Sequence, residues 1–214
     1  MNSSCLCLSA SPLPNRHRTE HHSCVPTRHH RYDVPGHTHF LTFSCYRRLG
    51  FFWHDSIKQI AVDALKHLQV RFRICVVGYV IMPEHVHLLL YPHPQGEMRP
   101  VPISTLLHAY KRFVAMAGKK RLQALASGQA GLWSAPLSRW LAARQPFWQT
   151  RGYDFNVDRG ETLLEKLIYC HKNPLTRRLV ERAEDWRWSS YRYYEFGDDS
   201  VLAMDWDKAW PIRW

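Results

Sequence analysis

Two histidines, one tyrosine and one asparagine stand at spacings that could do chemistry. In Gly78-Tyr79-Val80-Ile81-Met82-Pro83-Glu84-His85-Val86-His87-Leu88-Leu89-Leu90, apolar runs flank Pro83-Glu84. They read as two buried strands joined by a tight turn, because Pro cannot donate to a sheet ladder. Side chains alternate along a strand, so His85 and His87 share one face while Val86 and Leu88 point to the other. Two neutral imidazoles side by side on a rigid sheet can hold a metal ion. Further on, Glu165, Tyr169 and Asn173 fall at i, i+4 spacing on a helical stretch. An Asn173 carboxamide oxygen would complete a mixed nitrogen and oxygen set that suits Mg²⁺ or Mn²⁺, with positions left for phosphate oxygens and water. Tyr169 would face the same ion, and a phenol becomes a workable nucleophile toward a polarised phosphodiester. A phosphotyrosine ester keeps the energy of the bond it replaces, so a free 3′-hydroxyl can reverse the attack: such chemistry cuts and rejoins. Each residue alone has a plainer reading. A His-x-His pair can be core or surface, a lone tyrosine packs, and an asparagine before Pro174 suits a helix end.

The elements that must position these groups follow from periodicity. His39 to Tyr46 is rich in aromatic and β-branched residues and predicts a first strand. Asp55 or Ser56 caps a helix whose Ile57, Ile60, Ala61, Ala64, Leu65 and Leu68 form one apolar stripe. Arg71 to Met82 and His85 to Tyr91 are the second and third strands, and Pro92 to Pro102 is a loop. A second helix carries Leu106, Leu107, Tyr110, Phe113, Val114 and Ala117 and is expected to stop at Gly118, with 118–145 an insertion. Phe147 to Val157 is a fourth strand. Asp158 with Glu161 makes an acidic capping box for a helix packed through Leu163, Leu164, Leu167 and Ile168 and ended by Pro174. The order β-α-β-β-α-β predicts an α+β, ferredoxin-like sandwich: an antiparallel sheet with two helices on one face, plus a C-terminal helix carrying Tyr169.

Composition bounds the partners. The 214 residues hold 29 Lys and Arg against 18 Asp and Glu, a formal net charge of +11, which attracts polyanions and makes nucleic acid the expected partner. Lys111, Arg112, Lys119, Lys120 and Arg121 are the candidate DNA contacts. No apolar run has the length of a membrane helix, and the N-terminus lacks the basic and apolar regions of a secretory signal. A cytoplasmic, reduced setting is expected. Residues 1–31, rich in Cys, His, Ser and Pro, read as a disordered leader whose spacings do not match the usual zinc patterns. One domain is expected over 32–195, with 196–214 a tail. Trp186, Trp188, Tyr191, Tyr193 and Tyr194 could stack on unpaired bases or pack the C-terminal segment onto the body, and packing is the commoner use.

Met82-Pro83-Glu84-His85-Val86-His87-Leu88-Leu89-Leu90 and Tyr169-Cys170-His171-Lys172-Asn173-Pro174 together closely resemble the single-tyrosine transposases with a His-hydrophobic-His (HUH) motif, specifically the REP-associated tyrosine transposases. The resemblance runs from about Tyr32 to about Tyr194 and includes Phe147-Trp148-Gln149 and Asp185-Trp186-Arg187-Trp188-Ser189-Ser190-Tyr191. It implies that His85 and His87 bind a divalent metal, that Tyr169 forms a 5′-phosphotyrosine on single-stranded DNA, and that the substrates are short hairpin-forming repeats. Asn173 takes the third ligand position by the same resemblance. Glu84 departs from the pattern, standing where the family usually has Asn, and the stretch from Lys119 to Gln145 is longer than in that pattern. A different class of function remains: a DNA-binding regulator of repeat elements that has kept the fold without the cutting. An initiator of replication or plasmid mobilisation would need further segments that 214 residues do not hold. Monomer and homodimer are both compatible with the sequence.

Overall fold

The computed structural model describes residues 33–93, 100–128 and 135–204, all within one unit, Arg31–Trp214. The expected leader, most of the loop after Pro92, and Trp206, Trp210 and Trp214 lie outside the described residues. Three almost wholly buried strands form most of the sheet: the two central ones, β1 (Thr38–Cys45) and β3 (His85–Pro92), and the edge strand β2 (Ile74–Ile81). The largely exposed β4 (Trp148–Val157), buried only at its two ends, forms the other edge. Their order is β2-β3-β1-β4, with every pairing antiparallel. With α1 (Asp55–Phe72) between β1 and β2 and α2 (Ile103–Gly128) between β3 and β4, this is the expected ferredoxin-like α+β sandwich.

The two faces of the sheet do different work. Phe43 meets Tyr110 of α2 at 5.6 Å between ring centroids, and α2 meets α1 through Phe113 and His67 at 5.5 Å. The neighbouring Thr42 necessarily points to the opposite face, which α4 (Gly160–Thr176) covers. A Cβ added at Gly78 would stand 2.5 Å from Leu167 Cδ1, so the glycine lets α4 lie close on β2. The segment after α4 closes the edge of β2. Ile81 N–H donates to Trp188 O at 2.9 Å, Ser190 N–H to Tyr79 O at 3.0 Å, and Trp186 Nε1 to Ile81 O at 3.2 Å. Trp188 Nε1 donates to Asp55 Oδ1 at 3.0 Å. Trp186 and Trp188 therefore pack the C-terminal segment down, α5 (Tyr191–Phe196) follows, and the chain stays on the body to Leu202, which is buried.

Several local expectations are corrected. α2 does not stop at Gly118 but runs to Gly128, and a Cβ at Gly118 would meet Phe147 Cε2 at 2.9 Å. Gly118 admits a ring, and the strong helix formers after it, with Leu122 buried, carry the helix on. Part of the expected insertion is thus helical, the end of α2 and α3 (Ala135–Ala142), whose Trp140 packs on Phe51 at 4.3 Å. His54 is the N-cap of α1 and Arg159 that of α4, and neither makes a side-chain capping bond. Asp158 therefore lies one residue too early for its capping box. Pro174 sits inside α4, which ends at Thr176. Asn173 and Pro174 are both buried, and the end is closed by Arg177 N–H to Asn173 O at 3.0 Å and Leu179 N–H to Pro174 O at 2.9 Å. Packing outweighs the missing donor. Ile168 is exposed, so the packing stripe of α4 is Leu163, Leu167, Cys170, His171 and Pro174.

Candidate active site

The turn before β3 is held from three sides. Met82 N–H donates to His85 O at 2.9 Å, Cys45 N–H to Glu84 O at 2.9 Å and Phe52 N–H to Pro83 O at 3.0 Å. This fixes the start of β3, from which His85 and His87 project together on the face beneath α4. Their Nε2 atoms stand 3.0 Å apart. His87 Nδ1 lies 2.7 Å from Thr42 Oγ1, across the β1 pairing. If Nδ1–H donates to that hydroxyl, Nε2 keeps its lone pair facing His85. The ring of His87 also stacks on Phe40, with centroids 5.6 Å apart and planes 6° from parallel. From α4, Asn173 Nδ2 reaches His87 Nε2 at 3.1 Å. Tyr169, one turn earlier, places its ring centroid 5.2 Å from that of His87, edge-on, and is 51 % exposed.

Glu84 takes a place that the residue pattern left open. Its Oε1 lies 3.2 Å from His85 Nδ1 and is ion-paired with Arg177, just past the end of α4. The carboxylate thus sits behind His85, on the ring nitrogen remote from His87. Its pKa is lowered first by the hydrogen bond with His85, against burial, and then by the charges of His85 and Arg177. Burial, helped by the nearby His85, drives His87 down to about 3, so that ring is neutral at ordinary pH.

These residues fit a divalent ion. Nitrogen ligands at about 2.1 Å, in adjacent octahedral positions, stand about 3.0 Å from one another. The two Nε2 atoms are 3.0 Å apart, and the Asn173 carboxamide lies 3.1 Å from one of them. A half-turn of that amide exchanges nitrogen for oxygen. If Glu84 keeps a proton on His85 Nδ1, two lone pairs face one another across the gap, an arrangement that a cation relieves. Among the described residues, no three His, Cys, Asp or Glu side chains converge, so the ligand set that fits is His85, His87 and the Asn173 carboxamide.

The structure brings Tyr169, His85, His87 and Asn173 together. It does not bring the basic candidates to them. Lys111, Arg112, Lys119, Lys120 and Arg121 belong to α2, on the other face of the sheet. There Lys111 Nζ lies over Phe43 at 4.8 Å, Lys119 Nζ over Trp140 at 5.7 Å, and Arg121 Nε donates to Ser56 Oγ at 3.2 Å. Cations near the site among the described residues include Lys166, with Nζ 5.7 Å from the Phe40 centroid, and Arg177. Thr42, Phe40 and Arg177 also stand at the site, and nothing in the residue pattern marks them. No signal in a β-branched strand residue marks a hydroxyl that meets a histidine 45 positions away.

No family model matches this chain, and no curated protein sequence does. Solved structures do. One, a REP-associated tyrosine transposase bound to a REP hairpin, is 19% identical, with 85% of this chain and 91% of that chain covered at a TM-score of 0.58. A Deinococcus radiodurans protein, itself only provisionally assigned as a transposase, is 19% identical over 66% of this chain and 93% of its own, at a TM-score of 0.40. At this identity the first likeness is one of fold: the chain has the architecture of that transposase.

Proposed function

We propose that this protein is a transposase-type DNA strand transferase that binds hairpin-forming repeat DNA and cleaves and rejoins one strand through Tyr169. The observation that carries the reading is the convergence of His85 and His87 Nε2, 3.0 Å apart, with Asn173 at 3.1 Å and the Tyr169 ring at 5.2 Å. The hairpin-bound transposase of the same fold supports DNA as the substrate, as does the net charge of +11.

His85, His87 and Asn173 would hold Mg²⁺ or Mn²⁺, which when bound polarises a phosphoryl oxygen and offsets its growing charge. Thr42 and Glu84 keep the two imidazoles turned inward, and Arg177 ties Glu84 to the helix that bears Tyr169. The Tyr169 hydroxyl gives up its proton to solvent as its oxygen bonds to phosphorus. The bond from phosphorus to the 3′-oxygen breaks, and that oxygen leaves as a hydroxyl after taking a proton. The products are a 5′-phosphotyrosine and a free 3′-hydroxyl, and the reverse attack reseals or transfers the strand.

The alternative reading, a DNA-binding regulator without cleavage, shares the fold and charge but has no use for a nucleophile beside three convergent ligands. Incubation of a labelled single-stranded hairpin with the protein and Mn²⁺ separates the two. A covalent adduct on a denaturing gel, lost with chelator, is expected. DNA binding without any adduct would favour the regulator.

A further inference from the structure

Tyr153 and Phe155 occupy alternate positions on β4 and so share a face of the sheet. The register identifies that face. Thr42 pairs with His87 on one side and Tyr153 on the other, and Phe40 pairs with Leu89 and Phe155. Directly paired residues point the same way, so both aromatic rings stand on the histidine face. Two strand spacings, about 10 Å, separate Tyr153 from His87. Roughly three stacked nucleotides span that distance at about 3.4 Å each.

Both rings are open, Tyr153 at 47% and Phe155 at 37% exposure. They lie with centroids 6.3 Å apart and planes only 8° from parallel. Buried Phe40 braces Tyr153, meeting it edge-on at 6.3 Å, and meets Tyr169 edge-on at 6.0 Å. Lys166, on α4, holds its Nζ 5.1 Å from the Phe155 centroid. A single exposed aromatic on a strand needs no explanation. Two parallel open rings, with an ammonium beside them and a chain of aromatic contacts leading to Tyr169, match the two faces of a nucleotide: a base to stack and a phosphate to pair.

We propose that Tyr153, Phe155 and Lys166 form a stacking shelf for unpaired bases of the DNA strand that enters the Tyr169 site. This rests on the reading of the protein as a DNA strand transferase and adds where the strand lies beside the scissile phosphate. The shelf takes single strands because a base can stack there only when it has left its duplex.

The test measures binding of a fluorescent single-stranded oligonucleotide in a Tyr169→Phe background, which separates affinity from cleavage. Tyr153→Ala and Phe155→Ala should each weaken binding about tenfold, and Tyr153→Leu and Phe155→Leu, which keep bulk but not a π-face, should do nearly the same. An oligonucleotide with abasic sites opposite the shelf should lose a similar factor with the parent protein and little more with the variants. Lys166→Met should lower the salt dependence of log affinity by about one unit. Unchanged affinity in folded ring variants overturns the shelf, as does a DNA-free dimer that Tyr153→Ala dissociates, since the rings would then be a contact between copies. If the wild-type chain, with Tyr169 intact, forms its Tyr169 adduct while ring variants in the Tyr169→Phe background bind normally, the shelf alone fails. If binding depends on the rings and no adduct ever forms, the shelf stands and the strand-transfer reading fails.

Discussion

Replacing Thr42 with valine removes one oxygen while keeping the β-branch that suits a strand. The oxygen lost is the partner of His87 Nδ1 at 2.7 Å, on a ring that is almost wholly buried. A buried donor left without its acceptor costs about 1–3 kcal/mol. Loss of the group that orients a metal-binding histidine costs about 10–100-fold in metal affinity. The two figures agree, since a tenfold change is about 1.4 kcal/mol. Thr42→Val should therefore lower Tm by several degrees and raise the Mn²⁺ concentration for half-maximal adduct formation by about 10–100-fold. The rise in Tm expected on adding Mn²⁺ to the wild-type protein should shrink in parallel, a readout that needs no DNA. Thr42→Ser, which restores the hydroxyl, should recover most of the metal response. A Thr42→Val protein with the wild-type Tm and Mn²⁺ midpoint would refute the view that Thr42 fixes the tautomer of His87.

Asn173→Ala should raise the Mn²⁺ midpoint, whereas Asn173→Asp, which offers a hard anionic oxygen, should match or lower it; if neither moves it, Asn173 is not a ligand. Gly78→Val would push against Leu167, whose Cδ1 stands 2.5 Å from the added Cβ, and a shift of about 1 Å in α4 should cost on the order of 100-fold in adduct rate. Adding Leu167→Ala should restore part of that rate, and a wild-type rate in the single variant would show that the seat of α4 does not set the chemistry. Burial holds His87 at about 3 and His171 at about 4, so the unfolded chain binds more protons than the folded one below about pH 6.5. Stability is therefore complete above that pH and falls as the pH drops toward 4, by up to about 1.4 kcal/mol per unit for each histidine. Urea midpoints at pH 7, 5.5 and 4.5 read this directly, and a flat series would contradict it.

What was legible in the sequence was what a repeating pattern encodes. Apolar runs and clusters of aromatic and β-branched residues mark the four strands, apolar residues of period 3.6 mark α1 and the start of α2, and the alternation of side chains along a strand puts His85 and His87 on one face. Punctuation was less readable, because one residue type serves competing ends. Gly118 reads as a stop but is a gap for the Phe147 ring, and Gly78 similarly seats Leu167. Pro174 reads as a terminator, yet tertiary packing carries α4 past it to Thr176. Long-range pairings had no local signature at all. Thr42 is an ordinary strand residue until β1 pairs with β3, and Glu84 becomes a brace for His85 only when α4 brings Arg177 beside it. Charge indicates a partner class but not a surface: the cations clustered on α2 lie across the sheet from the histidines, whereas Lys166 and Arg177 lie beside them.

The most direct test of the account is where, and by which end, DNA becomes attached. After reaction with a hairpin oligonucleotide and Mn²⁺, nuclease trimming and trypsin should leave a nucleotide mass on the peptide Leu167-Ile168-Tyr169-Cys170-His171-Lys172. A label on the 3′ end of the oligonucleotide should travel with the protein, and a label on the 5′ end should be released on a fragment ending in a free 3′-hydroxyl. Tyr169→Phe should give neither. Attachment at another residue, the opposite polarity, or cleavage by Tyr169→Phe at the wild-type rate would contradict the assignment of Tyr169 as the nucleophile of this site.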